Sequence, residues 1–208
     1  MTLPARTHRL DEARAKAREF IEVMVCGEVF PLAMIGGSIR REKARVHDIE
    51  IICRAHGYKL EMMIRGLGAQ KRLAFRYPLK NGPRYKALAF DGIPLDLFIV
   101  LPDRQWGPMV VIRTGPADAN KKLFAPAHKW GMLPPGMEQR DGALHYGGAE
   151  LDTPEESDVF RALGLPYIEP RDRSEATYKR LQDLGNATWK LRYPDQEVRV
   201  QQGMFGSE

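Results

Sequence analysis

Two carboxylates one position apart, Asp48 and Glu50, stand in the stretch HDIEIIC with Ile49 and Ile51 between and after them. In an extended strand successive side chains alternate between faces, so the two acids project to one side while the isoleucines enter a core. Adjacent carboxylates repel each other unless cations neutralise them, and hard divalent ions such as Mg2+ prefer carboxylate oxygen, keeping water or phosphate in their other positions. Upstream, Gly36, Gly37 and Ser38 can bring backbone N–H groups close to phosphate oxygens, because glycine has no Cβ to hold a ligand away. Arg40 and Arg41 follow, with the planar donor fork that suits phosphate. Taken singly, each feature also describes an ordinary turn or a solvated strand face. Their order, a strand, a glycine turn, paired arginines and an acidic strand, joins them into one candidate site.

A third acid lies further on. RYKALAF, Asp91-Gly92 and IPLDLFIV form a hairpin signal, with the turn dipeptide between two apolar runs. Arg84 to Phe90 therefore pairs with Ile93 to Val100. Asp96 is an acid inside that second apolar strand, where an unpaired carboxylate is expensive, so it needs a partner. Pro94 cannot donate to a ladder and suggests a bulge or an edge just before it.

The elements that position these residues follow from periodicity. Leu10, Ala13, Ala17, Phe20, Ile21 and Met24 recur at helical spacing and predict a core helix ended by Gly27. Val29 to Ile35 is a short apolar strand running into Gly36, and Leu60 to Leu67 reads as a second helix closed near Gly68. After Leu101 the composition shifts to loops around Pro102, Trp106 and Pro108, which marks a second unit. In it Pro126 should kink or end a helix. Met137 to Tyr146 repeats the hairpin pattern around Asp141-Gly142. Thr153-Pro154-Glu155-Glu156 carries the cap, first-turn proline and returning glutamate of a helix start that Gly164 closes. A helix from Ser174 to Leu184 and a less regular tail with Trp189 complete the chain.

The run G-S-I-R-R followed by H-D-I-E resembles the nucleotidyltransferase superfamily, and its Arg40-Arg41 pair resembles the DNA polymerase X (polymerase beta-like) branch. The likeness covers roughly residues 10 to 173. It implies an α+β fold: a palm with a mixed sheet and flanking helices over 1–103, a small α/β thumb over 104–174, and an extension of unknown role over 175–208. Asp48, Glu50 and Asp96 are then the catalytic and metal-binding carboxylates, with two Mg2+ ions as cofactor and Mn2+ as the alternative. Gly37, Ser38, Arg41, Thr114, Gly115 and Asn120 match nucleotide-binding positions, and Arg84, Lys86 and Lys121 are assigned to the DNA backbone. The partners implied are a DNA primer-template or gapped duplex and deoxynucleoside triphosphates; a monomer is expected, although the sequence does not fix the oligomeric state.

The resemblance also implies that Glu156 pairs with Arg40 when the thumb closes, and that a cis peptide follows Gly115. Pro116 replaces the usual serine there and lowers the cost of the cis form, so a cis Gly115-Pro116 bond is expected. Other positions also stand out. Glu50 replaces aspartate, and Ile112 and Arg113 occupy positions that are aromatic in several members, while His47 matches the terminal-transferase branch. The activity implied is DNA-directed DNA synthesis filling short gaps, in repair or phage DNA metabolism. A template-independent nucleotidyltransferase acting on a nucleic-acid end, a protein or a small molecule, and a catalytically silent nucleic-acid-binding module, are the alternatives. The compact size is similar to minimal viral and phage polymerases.

Composition agrees with one sizeable domain or two small units: 208 residues, 43% hydrophobic and 28% charged. Net charge is +5, but residues 36–86 hold 13 Lys and Arg against four acids, so basicity gathers around the candidate site and favours phosphate-bearing partners. Cys26 and Cys53 suit buried thiols in a reducing compartment rather than a zinc site. With no apolar run of about 18 residues and no signal-peptide pattern, the expected location is the cytoplasm of a bacterial cell or phage-infected host, with no membrane partner.

Overall fold

The computed structural model describes residues 7–77, 81–101, 105–126 and 131–182. The first part of the chain forms β1 (His8–Arg9), α1 (Leu10–Cys26), β2 (Leu32–Ile35), α2 (Gly37–Arg40), β3 (Arg45–Val46), β4 (Ile49–Arg54) and α3 (Gly57–Ala69). It continues through β5 (Leu73–Phe75), β6 (Asn81–Gly82), β7 (Tyr85–Phe90) and β8 (Ile93–Ile99). The second part forms α4 (Trp106–Thr114), α5 (Ala117–Leu123), β9 (Met137–Arg140), β10 (Ala143–Tyr146), β11 (Ala149–Glu150) and α6 (Glu156–Ala162), and residues 175–182 are helical. The α+β class and the mixed sheet read from the sequence are what the fold contains.

A six-stranded sheet organises the first part, in the order β2-β4-β8-β7-β5 with β6 on β7. Its pairs are antiparallel except β4 with β8. Alternation then divides the side chains. Ile49, Ile51 and Cys53 of β4, with Leu95, Leu97 and Ile99 of β8, face a core completed by Ala13, Ala17, Phe20 and Met24 of α1 and Leu60, Ile64 and Leu67 of α3. These helical residues are the three-and-four-spaced set, and burying each large one stabilises the fold by about 1.5–3 kcal/mol. Asp48, Glu50 and Asp96 are left on the opposite face.

The hairpin turns at Asp91 (φ 46) and Gly92 (φ 84), two successive left-handed residues, as its dipeptide predicts. Pro94 causes no bulge: the β7–β8 register runs unbroken through Ala89↔Pro94. It is tolerated because β4 joins only at the next residue, Leu95.

The second part has its own core, with Val111, Leu123, Leu144, Val159, Phe160 and Leu163 around a three-stranded sheet β11-β10-β9. Tyr178 and Leu181 belong to this core, so the residues just beyond the family likeness complete the second unit. Ile52, Val100, Trp106 and Val110 form an apolar seam between the two parts.

Several local expectations shift. Trp106 and Pro108 lie in the first turn of α4 rather than in a loop, where a proline's missing N–H has no intrahelical partner to lose. The α6 cap moves two residues on. Glu155 is the N-cap and its N–H donates to Asp158 at 3.0 Å, leaving the Glu156 carboxylate free for arginine partners. Cys53 is buried as expected, but Cys26, at the end of α1, is exposed. Pro126 follows the end of α5, in accord with its breaking role. Pro102, Leu184 and Trp189 lie outside the described residues.

Candidate active site

The three acids come together because β4 and β8 run parallel with Glu50 opposite Asp96 in register, while Asp48 immediately precedes β4. Register partners on adjacent strands lie about 4.8 Å apart. Burial raises the Asp48 carboxyl above its ordinary range, and the charge of Asp96 adds to that. Glu50 is pushed up to about 7, by burial first and by Asp48 next, with Arg41 opposing. In both, burial is the leading cause, and the charge of a neighbouring acid adds to it.

Gly37 shapes the wall beside Glu50. It opens α2 with φ 60, and a Cβ there would sit 1.7 Å from Glu50 Oε2. Only glycine meets both demands. The Gly36–Ser38 turn is thus the start of a short helix, and Arg40 and Arg41 follow at its end. Arg41 donates through Nη1 to the Thr114 carbonyl and packs against Gly115, where a Cβ would lie 2.6 Å from that nitrogen. The Gly115-Pro116 bond is cis, as expected.

Arg40 reaches the second part. Its two terminal nitrogens donate to Glu156 at 3.0 and 2.7 Å, and Nη1 also donates to Thr114 Oγ1 at 2.6 Å. Arg173 donates to Glu156 Oε1 at 2.6 Å and Tyr167 to Oε2 at 3.0 Å. The Arg40–Glu156 pair inferred from the resemblance is therefore formed, inside a larger cluster.

Arginines also flank the acids. Arg76 donates to Asp96 Oδ1, and the Tyr85 hydroxyl donates to the same oxygen at 2.9 Å. Burial and that bond push the Tyr85 phenol up to about 12, so it is a donor at neutral pH. Tyr85 stacks on Phe98 with ring centroids 5.3 Å apart, and the Arg113 guanidinium lies 3.9 Å above the Phe98 ring. Arg113, at one of the positions that departs from the likeness, thus rests on an aromatic ring.

The remaining assignments divide. Ser38 is half-buried beside Gly37, and Arg84 and Lys121 are exposed, with Lys121 paired to Asp118 at 3.0 Å. Lys86, expected at the DNA backbone, is buried instead. It sits one residue out of phase with Tyr85 and Ala87, so it points to the helical side and pairs with Glu61 at 2.6 Å. Asn120 is buried and turned inward, its amide donating to the carbonyls of Val111 at 3.1 Å and Ile112 at 2.8 Å near the end of α4. Neither Arg76 nor Tyr85 was among the residues singled out from sequence. Tyr85 was within reach, because counting back from Asp91-Gly92 sets Ala87 opposite Asp96 and Tyr85 two residues along the same face; Arg76 follows a non-periodic stretch that gives no register.

The donor set fits hard divalent cations: three carboxylates, all hard oxygen donors, lie on one face of the sheet. Among the described residues, however, no three Asp, Glu, His or Cys side chains already converge on one point. Asp96 is instead drawn toward Arg76.

An α+β sheet unit carrying acids at the centre of one face, followed by a smaller unit latched to it, accords with the palm-and-thumb architecture of polymerase beta-like nucleotidyltransferases. The chain is similar to DNA polymerase lambda of Rattus norvegicus, at 29% identity over 164 residues. That alignment takes in 68% of this chain and 28% of the rat protein, so the chain spans little more than a quarter of its relative. No family model matches the chain. Among the described residues no helix is long and apolar enough to cross a membrane.

Proposed function

We propose that this chain is a nucleotidyltransferase of the DNA polymerase X type, joining a deoxynucleoside monophosphate from its triphosphate to the 3′-hydroxyl of a DNA primer, on short gaps. The observation that carries the reading is the register of Glu50 with Asp96, which gathers the three acids on one face beside the Gly37 turn and Arg41. Similarity to a DNA polymerase supports the substrate class.

In this reading the 3′-oxygen forms a bond to the α-phosphorus, the bond to the pyrophosphate oxygen breaks, and the hydroxyl proton passes to Asp96. Mg2+ ions, with Mn2+ as the alternative, would supply Lewis-acid stabilisation of the charge on the phosphoryl oxygens and leaving group. Asp48 and Glu50 would hold both ions, and Asp96 the one beside the hydroxyl. Gly37, Ser38 and Arg41 bind the triphosphate tail, and the Thr114–Gly115 turn walls the sugar. Asn120 acts by fixing α5 against the end of α4, an indirect role. Arg84 and Lys121 take backbone phosphates. Residues 7–101 are the palm and 105–182 the thumb of this reading.

Extension assays on single-stranded, templated and one-nucleotide-gapped primers with Mg2+ or Mn2+ test it. Template-matched addition supports a templated polymerase. Addition without a template moves the protein to the terminal-transferase class, and DNA binding without addition leaves a silent binding module.

A further inference from the structure

Arg76 reaches Asp96 from two strands away. Across the sheet, Glu50 on β4 is level with Asp96 on β8, Asp96 with Ala87 on β7, and the Arg76 N–H donates to the Ala87 carbonyl at 2.9 Å just past β5. At about 4.8 Å per strand, the Arg76 backbone lies roughly 10 Å from that of Asp96. A long side chain can cover that span, and the residue it must cross is a fully buried alanine, which offers only a methyl group. The guanidinium then meets Asp96 Oδ1 through one nitrogen, Nη2, while its Nε is buried without a partner. Arg40 on Glu156 is the contrast: both of its terminal nitrogens engage both carboxylate oxygens. One-nitrogen contacts lack the geometric reinforcement of the fork and are the more readily exchanged.

Resting on the nucleotidyltransferase reading, we propose that Arg76 is a positioning residue that acts as a built-in counter-cation for Asp96, competing with the divalent ion and setting how tightly the site loads in the absence of DNA and nucleotide. Tyr85 holds the same oxygen and keeps the carboxylate on its rail while the two cations exchange. Asp48, Glu50 and Asp96 then converge only when the arginine is displaced, which agrees with their unconverged side chains here.

The test is a Mn2+ titration of the full chain, without nucleotide or DNA, in which free Mn2+ is read by electron paramagnetic resonance. Wild type is compared with Arg76→Gln, Arg76→Lys and Asp96→Asn. Loss of an adjacent positive charge is expected to tighten Mn2+ binding by about tenfold in Arg76→Gln. Arg76→Lys should fall between that variant and wild type, and Asp96→Asn should bind more weakly than wild type. Equal or weaker Mn2+ binding by Arg76→Gln, with Asp96→Asn still impaired, overturns the role of Arg76 and leaves the reading of the site standing. Unchanged Mn2+ binding by Asp96→Asn overturns both. Should Arg76→Gln fail to fold, Arg76→Met, which keeps the apolar stem over Ala87, carries the same comparison.

Discussion

Arg40 and Glu156, 116 residues apart in sequence, are joined by a two-pronged pair of 3.0 and 2.7 Å that ties the end of α2 to the start of α6. Because α2 begins at Gly37, beside Glu50, this pair fixes the second unit relative to the acidic face. Glu156 also holds the buried Arg173, at 1% exposure. Replacing Glu156 with Ala takes the shared carboxylate from both guanidinium groups, leaving Arg40 only Thr114 and Arg173 only the Ile168 carbonyl, and removal of one partner from a buried pair costs about 3–5 kcal/mol. Urea denaturation should register that loss as a lower midpoint.

Acid should reveal the same cluster. Burial alone would raise the Glu156 carboxyl, but hydrogen bonds from Arg40 and Arg173 outweigh it and hold the group below its usual range. A depressed folded value means that the stabilisation is complete above the unfolded glutamate value of about 4.3 and is lost as pH falls through the folded one. Melting temperature should therefore drop more steeply in wild type than in Glu156→Gln between about pH 5 and about pH 3.

Gly37→Ala places a methyl group 1.7 Å from Glu50 Oε2 at a backbone φ of 60. Both strain the turn, and the expected cost exceeds about 1 kcal/mol. Nucleotide incorporation should fall far more than the thermal midpoint, because the displaced group is one of the acids. Matched circular dichroism and incorporation measurements check this.

Arg84 and Lys86, two residues apart, should respond differently. Arg84→Ala should weaken DNA binding and reduce the slope of log affinity against log salt by about 1, as loss of one phosphate contact does. Lys86→Met should leave that slope unchanged, since Lys86 is buried and already paired with Glu61 whereas Arg84 is exposed. Fluorescence anisotropy at several salt concentrations separates them.

Periodicity made the main helices and the acidic face legible, because each rests on local spacing: the α1 stripe, the D-x-E alternation and the Asp-Gly turn that positions Asp96. The Arg40–Glu156 pair and the cis Gly115-Pro116 bond were legible through family resemblance. Burial direction was harder. Lys86 was chosen by its charge, although the register that sets Tyr85 beside Asp96 puts Lys86 on the other face, and the Asn120 amide serves a helix end, a use its spacing does not distinguish from ligand binding. Arg76 was invisible, since its contact depends on the small size of Ala87, on the intervening strand, and on no spacing along the chain.

The central claim is that Asp96, level with Glu50, is part of a nucleotidyl-transfer site. Single-turnover incorporation of the template-matched nucleotide into one-nucleotide-gapped DNA with Mg2+, for wild type against Asp96→Asn, tests it most directly. The account predicts incorporation by wild type and a loss of about a thousandfold in the variant. Equal rates in the two proteins, or no incorporation by folded wild type, would contradict it.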